Sequence, residues 1–369
     1  MIPFSRFLLA LCLGVSAIAS AAPAQDCDND TLLNHPQLLV VVPHPDDEVL
    51  GFSGLMQAYA ELHRPVHVVV VTDGDAACGA CQFWRNGGES GPVCSMDDLL
   101  AFGHTRRAET QTATSLLGHP SVTFLGYPDE GIGAALAQLE AGEPDAPIDR
   151  VSCDPAVATM ATAFTGTGLV RTLRELVANV PSGTLIATAE PQAAHPDHAA
   201  LGRLMTLANA GLGEPRPLVF GMVHPSTRGG NTECSYPPPS ATDCACAEKA
   251  EGYFAAHPGL LDAEAQARYR PNSPASVPAQ MAGMPLRLCL APTLFTGSEP
   301  LKLRAIEAFG TQLGTSSRAG TPIPPSVRGL TDCQGFLRAY VHRTELFWPA
   351  SGGALSHATP TSAPGGAKL

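Results

Sequence analysis

Two short stretches of this 369-residue chain bring together residue types that can do chemistry as a group. The first is His44-Pro45-Asp46-Asp47-Glu48 and the second is His195-Pro196-Asp197-His198. His-Pro occurs six times in the chain, so the dipeptide alone carries no information. The acids and the second histidine behind it set these two places apart. Proline suits the first position of a helix, where its missing N–H costs nothing, so each stretch reads as a helix start. Residues three apart on a helical turn share a face, so His44 and Asp47 can reach one point, and His195 and His198 another. Two imidazoles, one carboxylate and a water make a catalytic zinc site with three protein ligands and one open position. The bland alternative is a pair of loops with solvated acids and capping aspartates.

The surrounding elements decide whether the two stretches meet. Leu38 to Val42 is a continuous apolar run, as expected of a strand buried on both faces. Val49 to Leu62 reads as a helix, Val66 to Val71 as a second buried strand, His104 to Leu117 as a helix and Val122 to Leu125 as a third strand. Leu169 to Val180 carries a clear apolar stripe at helical spacing. Leu185 to Thr188 is a fourth strand, His198 to Ala210 a helix and Leu218 to Val223 a fifth strand. This alternation predicts an α/β fold: a doubly wound, mostly parallel, Rossmann-like sheet with helices on both faces. In that order strands one and four are neighbours; the first polar stretch comes directly after strand one and the second seven residues after strand four. The topology therefore predicts that both flank the ligand crevice.

Three stretches break the alternation: Gly74 to Gly103, Gly131 to Thr167 and Arg228 to Pro300. The first and third hold cysteines and read as disulfide-stapled insertions, near 74–103 and 228–300. Lys302 to Gln312 and Cys333 to Phe347 read as helices, and 349–369 as a flexible tail.

The N-terminus has a short basic start at Arg6, an apolar run to Ala19 and an Ala-x-Ala exit, so 1–24 reads as a secretory signal cleaved after Ala21 or Ala24. The remaining domain is 25–348, with no other segment apolar enough to span a membrane. Of 11 cysteines, Cys12 leaves with the signal. An even remainder in an exported chain points to disulfides rather than to a cysteine zinc site, and to a secreted or periplasmic protein. Pairing and oligomeric state are not legible. With 34 Asp+Glu against 22 Lys+Arg and no basic run, a nucleic-acid partner is not expected.

The run VVVPHPDDEVLG at residues 40–51, together with His195-Pro196-Asp197-His198, resembles the PIG-L / LmbE-like family of zinc-dependent de-N-acetylases. Thr72-Asp73-Gly74, Arg106-Arg107-Ala108-Glu109 and Phe124 to Asp129 resemble further family motifs in the same order, and Lys302 to Gln312 and Glu345 to Trp348 resemble its C-terminal helices. The likeness covers roughly residues 37 to 348, apart from the cysteine-rich insertions. It implies that His44, Asp47 and His198 hold Zn2+, that Asp46 is the general base, and that His195 stabilises the oxyanion. It also implies that Arg106 and Asp129 bind sugar hydroxyls, against the simpler readings of a surface ion pair and a turn aspartate.

The expected activity is removal of the N-acetyl group from an N-acetylglucosamine-type sugar or glycoconjugate. A non-catalytic carbohydrate-binding protein and a metal-dependent phosphoesterase are the alternatives on the same scaffold. Neither G-x-G-x-x-G after strand one nor G-x-S-x-G is present, so neither dinucleotide binding nor serine hydrolysis is expected. Glu48 reads as a structural acid, Asp73 and Asp75 as cleft-lining or turn-capping, His224 as structural, and Trp84 as either a sugar-stacking platform or a loop anchor.

Overall fold

The computed structural model describes residues 27–89, 91–156, 158–193, 195–221, 223, 286–289, 301–323 and 344–350. The signal and nearly all of the tail expected at the two ends lie outside these residues. So do His224, almost all of the 228–300 insertion and residues 333–343.

The described elements succeed one another as α1 (Asn29–Leu33), β1 (Leu38–Val42), α2 (Asp47–Glu61), β2 (Val66–Thr72), α3 (Cys78–Arg85), α4 (Met96–Ser115), β3 (Ser121–Tyr127), α5 (Gly131–Ala141), α6 (Gly166–Asn179), β4 (Leu185–Ala189), α7 (Pro196–Ala210), β5 (Leu218–Gly221), β6 (Leu286–Cys289), α8 (Leu301–Glu307) and β7 (Thr344–Pro349). The described strands form one sheet in the order β3-β2-β1-β4-β5-β7-β6. The first five are parallel, and β7 runs antiparallel to both β5 and β6. This is the doubly wound arrangement that the alternation predicts. The β1 strand sits between β2 and β4, with Leu38 opposite both Val66 and Leu185.

Strand β1 explains why the sequence reads as it does. Leu38, Val40 and Val42 point into one core with Phe52, Leu55, Tyr59 and Ile306. Leu39 and Val41 point into the other, with Leu169, Leu173, Leu201 and Leu204. A strand with a core on each face needs no polar alternation. Each such side chain contributes about 1.5–3 kcal/mol by leaving water, so the register that aligns the ends of β1 and β4 is firmly set.

Several elements depart from expectation. Thr344–Pro349 is a strand, not the end of a helix. Phe347 feeds one core and Trp348 the other, a period of two that aromatic residues favour in strands. Helix α4 begins at Met96 rather than His104, started by a capping box in which Ser95 and Asp98 satisfy each other's backbone N–H. The first insertion also holds α3, and the aperiodic 131–167 stretch opens with α5. The apolar stripe of α5, Ile132, Ala135 and Leu136, is too short and alanine-rich to stand out.

Three disulfides join described residues: Cys27–Cys289, Cys78–Cys153 and Cys81–Cys94. Cys78 and Cys81 thus take separate partners, as the disulfide reading requires. Trp84 is buried against Cys81, Cys94 and Phe102 and anchors its own loop, not a sugar.

Candidate functional site

The site lies beyond the carboxyl ends of β1 and β4. Thr188 Oγ1 donates to Val41 O, and both Thr72 N and Thr72 Oγ1 donate to Pro43 O. These bonds fasten the exit of β1 to both neighbours just before His44.

The two motifs start their helices differently. At the second, Pro196 is the first helical residue and His195 is the N-cap, its Nδ1 accepting from Asp197 N at 3.3 Å. At the first, the helix starts at Asp47, two residues beyond Pro45, and Asp46 is the N-cap with φ 118°. A positive φ on a non-glycine residue costs on the order of 1–3 kcal/mol and persists only where neighbours enforce it. Two neighbours do. Asp46 N donates to Glu48 Oε2 at 3.0 Å. Arg106 donates to Asp46 Oδ2 at 3.0 Å and to the carbonyls of Pro45 and Gly74, each at 2.6 Å.

The motifs meet at Asp47. Its Oδ2 lies 3.2 Å from His44 Nδ1 and 3.1 Å from His198 Nε2. His44 N also donates to this oxygen, at 3.0 Å. His195 completes the group, its ring 4.8 Å from that of His44 and 5.3 Å from that of His198. The other nitrogen of His44, Nε2, lies 2.9 Å from Asp129 Oδ1 and 3.4 Å from Asp197 Oδ2. Asp197 Oδ1 accepts from Gly133 N at 2.7 Å, tying α7 to α5. All of these side chains except His195 are buried.

The donor set fits a divalent metal. A tetrahedron with bonds of about 2.0–2.1 Å has edges of about 3.3 Å, close to the separations around Asp47. Among the described residues, the donor triads whose ligand atoms all lie within 4.8 Å of one another are His44, His195 and His198, and His44, Asp129 and Asp197. Around Asp47, one carboxylate oxygen engages two imidazoles and leaves His44 Nε2 to the acids behind it. Metal-bound histidines usually give their second nitrogen to a carboxylate in this way.

Electrostatics reflect burial and neighbours. Burial, then the Asp46 carboxylate, pushes Glu48 up to about 8. Burial pushes Asp129 up as well, but the charge and hydrogen bond of His44 outweigh it and hold Asp129 far below the usual carboxylate range.

Arg106 is 4% exposed and grips the first motif, which is not the position of a surface ion pair. Asp129 faces His44 and accepts from Ala76 N at 3.0 Å, which is more than a turn aspartate would do. Sequence reasoning gave no role to Asp197, although it sits inside the second motif. It also missed Arg150, a lone arginine in an aperiodic stretch, whose one hint is Cys153 three residues on.

Residues 39–209 match the family model for PIG-L, the GlcNAc-PI de-N-acetylases. The probable N-acetyl-alpha-D-glucosaminyl L-malate deacetylase 2 of Bacillus anthracis is 31% identical over 97 residues, 26% of this chain; the match spans 38% of that curated relative. Among solved structures, the deacetylase of the A40926 pseudoaglycone is 17% identical, with 85% of this chain and 97% of that one covered at a TM-score of 0.45. The N,N'-diacetylchitobiose deacetylase of Pyrococcus horikoshii is 19% identical, with 54% and 64% covered at 0.35.

Proposed function

We infer, from the match of residues 39–209 to the PIG-L family model, that this protein is a metal-dependent amidohydrolase that removes the N-acetyl group from an N-acetylglucosamine-type sugar or glycoconjugate. The observation that carries the reading is the meeting of the two motifs, with Asp47 Oδ2 within 3.2 Å of His44 and 3.1 Å of His198. In this reading His44, Asp47 and His198 hold a zinc ion. When bound, zinc polarises an amide carbonyl and lowers the pKa of a coordinated water.

The chain's own groups do the rest. Asp46 takes the proton of the attacking water and passes it to the departing amine, work worth roughly 10²–10⁴-fold in rate. Its strained backbone and the Arg106 contact hold that carboxylate in one orientation. His195 Nδ1 accepts a backbone N–H, so the neutral ring carries its proton on Nε2 and can donate to the developing oxyanion. Arg106 serves Asp46 first, and Asp129 serves His44 first; sugar hydroxyls are proposed as further partners of both.

Export by residues 1–24 belongs to the same proposal, and three disulfides support it. No described helix is long and apolar enough to cross a membrane. The test is acetate release from a panel of N-acetylated sugars, with and without a chelator. Release that chelation abolishes and zinc restores is expected, and no release from any of them would remove the proposed activity.

A further inference from the structure

The rim of the site on the β2–β3 side carries a buried chain of contacts that the proposed mechanism does not use. It begins at the Cys78–Cys153 disulfide, which joins the segment after β2 to the 143–165 excursion between α5 and α6. Within that excursion, Ile148 N donates to Phe164 O, and Arg150 and Met160 exchange backbone hydrogen bonds at 2.8 and 3.1 Å. Arg150 is therefore fixed on both sides, by its bridge and by the cross-link three residues on. It is 6% exposed and turns its guanidinium back into the molecule.

There its NH1 is ion-paired with Asp75 Oδ2. Asp75 is 1% exposed, and its other oxygen, Oδ1, accepts from Asp129 N at 3.1 Å. Asp129 Oδ2 accepts from Ala76 N at 3.0 Å, and Asp129 Oδ1 lies 2.9 Å from His44 Nε2. Both the backbone and the carboxylate of Asp129 are thus held by the 75–76 segment, and that segment is held by Arg150 and by Cys78. Gly103 of α4 closes the segment from the other side, where a Cβ would come within 3.1 Å of both Asp73 and Asp75.

We propose that Arg150 and Asp75, braced by the Cys78–Cys153 disulfide, are positioning residues that hold Asp129 against His44 and so set how tightly the site retains its metal. The proposal rests on the metal reading of this site. A carboxylate on the second nitrogen of a metal-bound histidine orients the ring and makes it a better ligand, and losing that support typically costs 10–100-fold in metal affinity. Asp129 can give this support only while its own carboxylate is aimed. Besides Ala76 N, the described backbone donor to that carboxylate is Glu130 N, its own chain neighbour, which cannot fix it against the rest of the fold.

The experiment measures the zinc dissociation constant of the purified full chain by competition with a chromophoric chelator, with the melting temperature recorded beside it. Arg150→Met and Asp75→Asn should each weaken zinc binding 10–100-fold. The double variant should be no weaker than the worse single, because both residues act through Asp129. Arg150→Lys, which keeps the charge, should recover part of the loss. Cys78→Ser/Cys153→Ser should weaken zinc, whereas Cys81→Ser/Cys94→Ser, a cross-link of the same rim that joins neither the 75–76 segment nor the 143–165 excursion, should lower the melting temperature alone.

If Arg150→Met fails to fold because Asp75 is left buried and unpaired, the double variant removes both charges and carries the test. Wild-type zinc affinity in the folded variants overturns the positioning role while leaving the metal site standing. Equal weakening by both cysteine pairs overturns it too, because that would be general loosening. A wild type that binds no zinc overturns the metal reading and this role together.

Discussion

The β1–β4 side of the site and its β2–β3 rim hold their polar groups in place by different means. On the first side, regular structure does the work. His44, Asp47, His195 and His198 all sit within one turn of a helix start, at the ends of two adjacent strands whose register two cores enforce. On the rim, Asp75, Asp129 and Arg150 sit in loops, aimed by ion pairs and backbone N–H groups and braced by the Cys78–Cys153 disulfide. The contrast teaches where each kind of damage should surface. Changes at the centre should remove metal or chemistry at little cost in folding. Changes at the rim should cost stability, and should reach the metal only where they disturb the contacts that aim Asp129.

The largest effect should come from the centre. Asp47→Asn and His198→Ala should each lose most of the bound metal, and all activity with it, because each removes one of the three donors proposed to hold it. Metal content by elemental analysis decides this. Full stoichiometry in both variants would show that Asp47 is not the hub.

Next comes Asp46→Asn. It keeps the size of the side chain and its contact with Arg106 but loses the basic oxygen. The kcat should fall by roughly 10²–10⁴-fold with metal retained. Equal metal loss in the Asn variants at 46 and 47 would erase the division of labour between neighbouring carboxylates.

These differences also explain how much was legible in the sequence. The strand order and the meeting of the motifs were, because Leu38 to Val42 is apolar without interruption, its sister runs are mostly so, and the motifs follow two strands that this order makes neighbours. The irregular start of α2 was not. Pro45 pointed to a helix start, but Arg106 reaches in from α4 to the Pro45 carbonyl and Glu48 bonds back to Asp46 N, and the helix starts at Asp47. Arg150 was invisible because its partner lies 75 positions away, the same separation as between the cysteines that brace it, and only the fold pairs them. The strand at Thr344–Pro349 was misread because four residues with one buried acid, Glu345, match either period until the sheet is present.

A smaller effect sharpens the rim half of the contrast. The Cys81–Cys94 bridge closes a short loop around buried Trp84 and Phe102. Cys81→Ser/Cys94→Ser should therefore destabilise the protein by about 3 kcal/mol, as chain entropy predicts for a loop of this size. Urea denaturation measures it, and metal content should not change. Lost metal in this variant would mean that the rim acts on the centre by general loosening and not through Asp129.

The smallest effect tests the seam between the two regions. Helix α4 turns Arg106 toward the first motif, and one turn later Glu109 accepts from Thr311 N at 2.8 Å and from the Thr311 hydroxyl. Burial pushes Glu109 up to about 7, although the two Thr311 bonds favour its charged form. A carboxyl whose pKa is raised by folding contributes stability that is whole below the unfolded value, near 4.5, and is lost as pH rises toward the folded one. At pH 6 the loss is about 2 kcal/mol, at 1.4 kcal/mol per unit. Glu109→Gln cannot ionise, and its amide oxygen can still accept from Thr311 N. The variant should therefore match the wild type near pH 4.5 and exceed it progressively up to pH 7. Subtracting the two urea-unfolding free energies at each pH cancels every other titrating group, so the slope belongs to Glu109. A flat difference would mean that α4 leaves this carboxylate as well solvated as in the unfolded chain, and that the seam is not a dry contact.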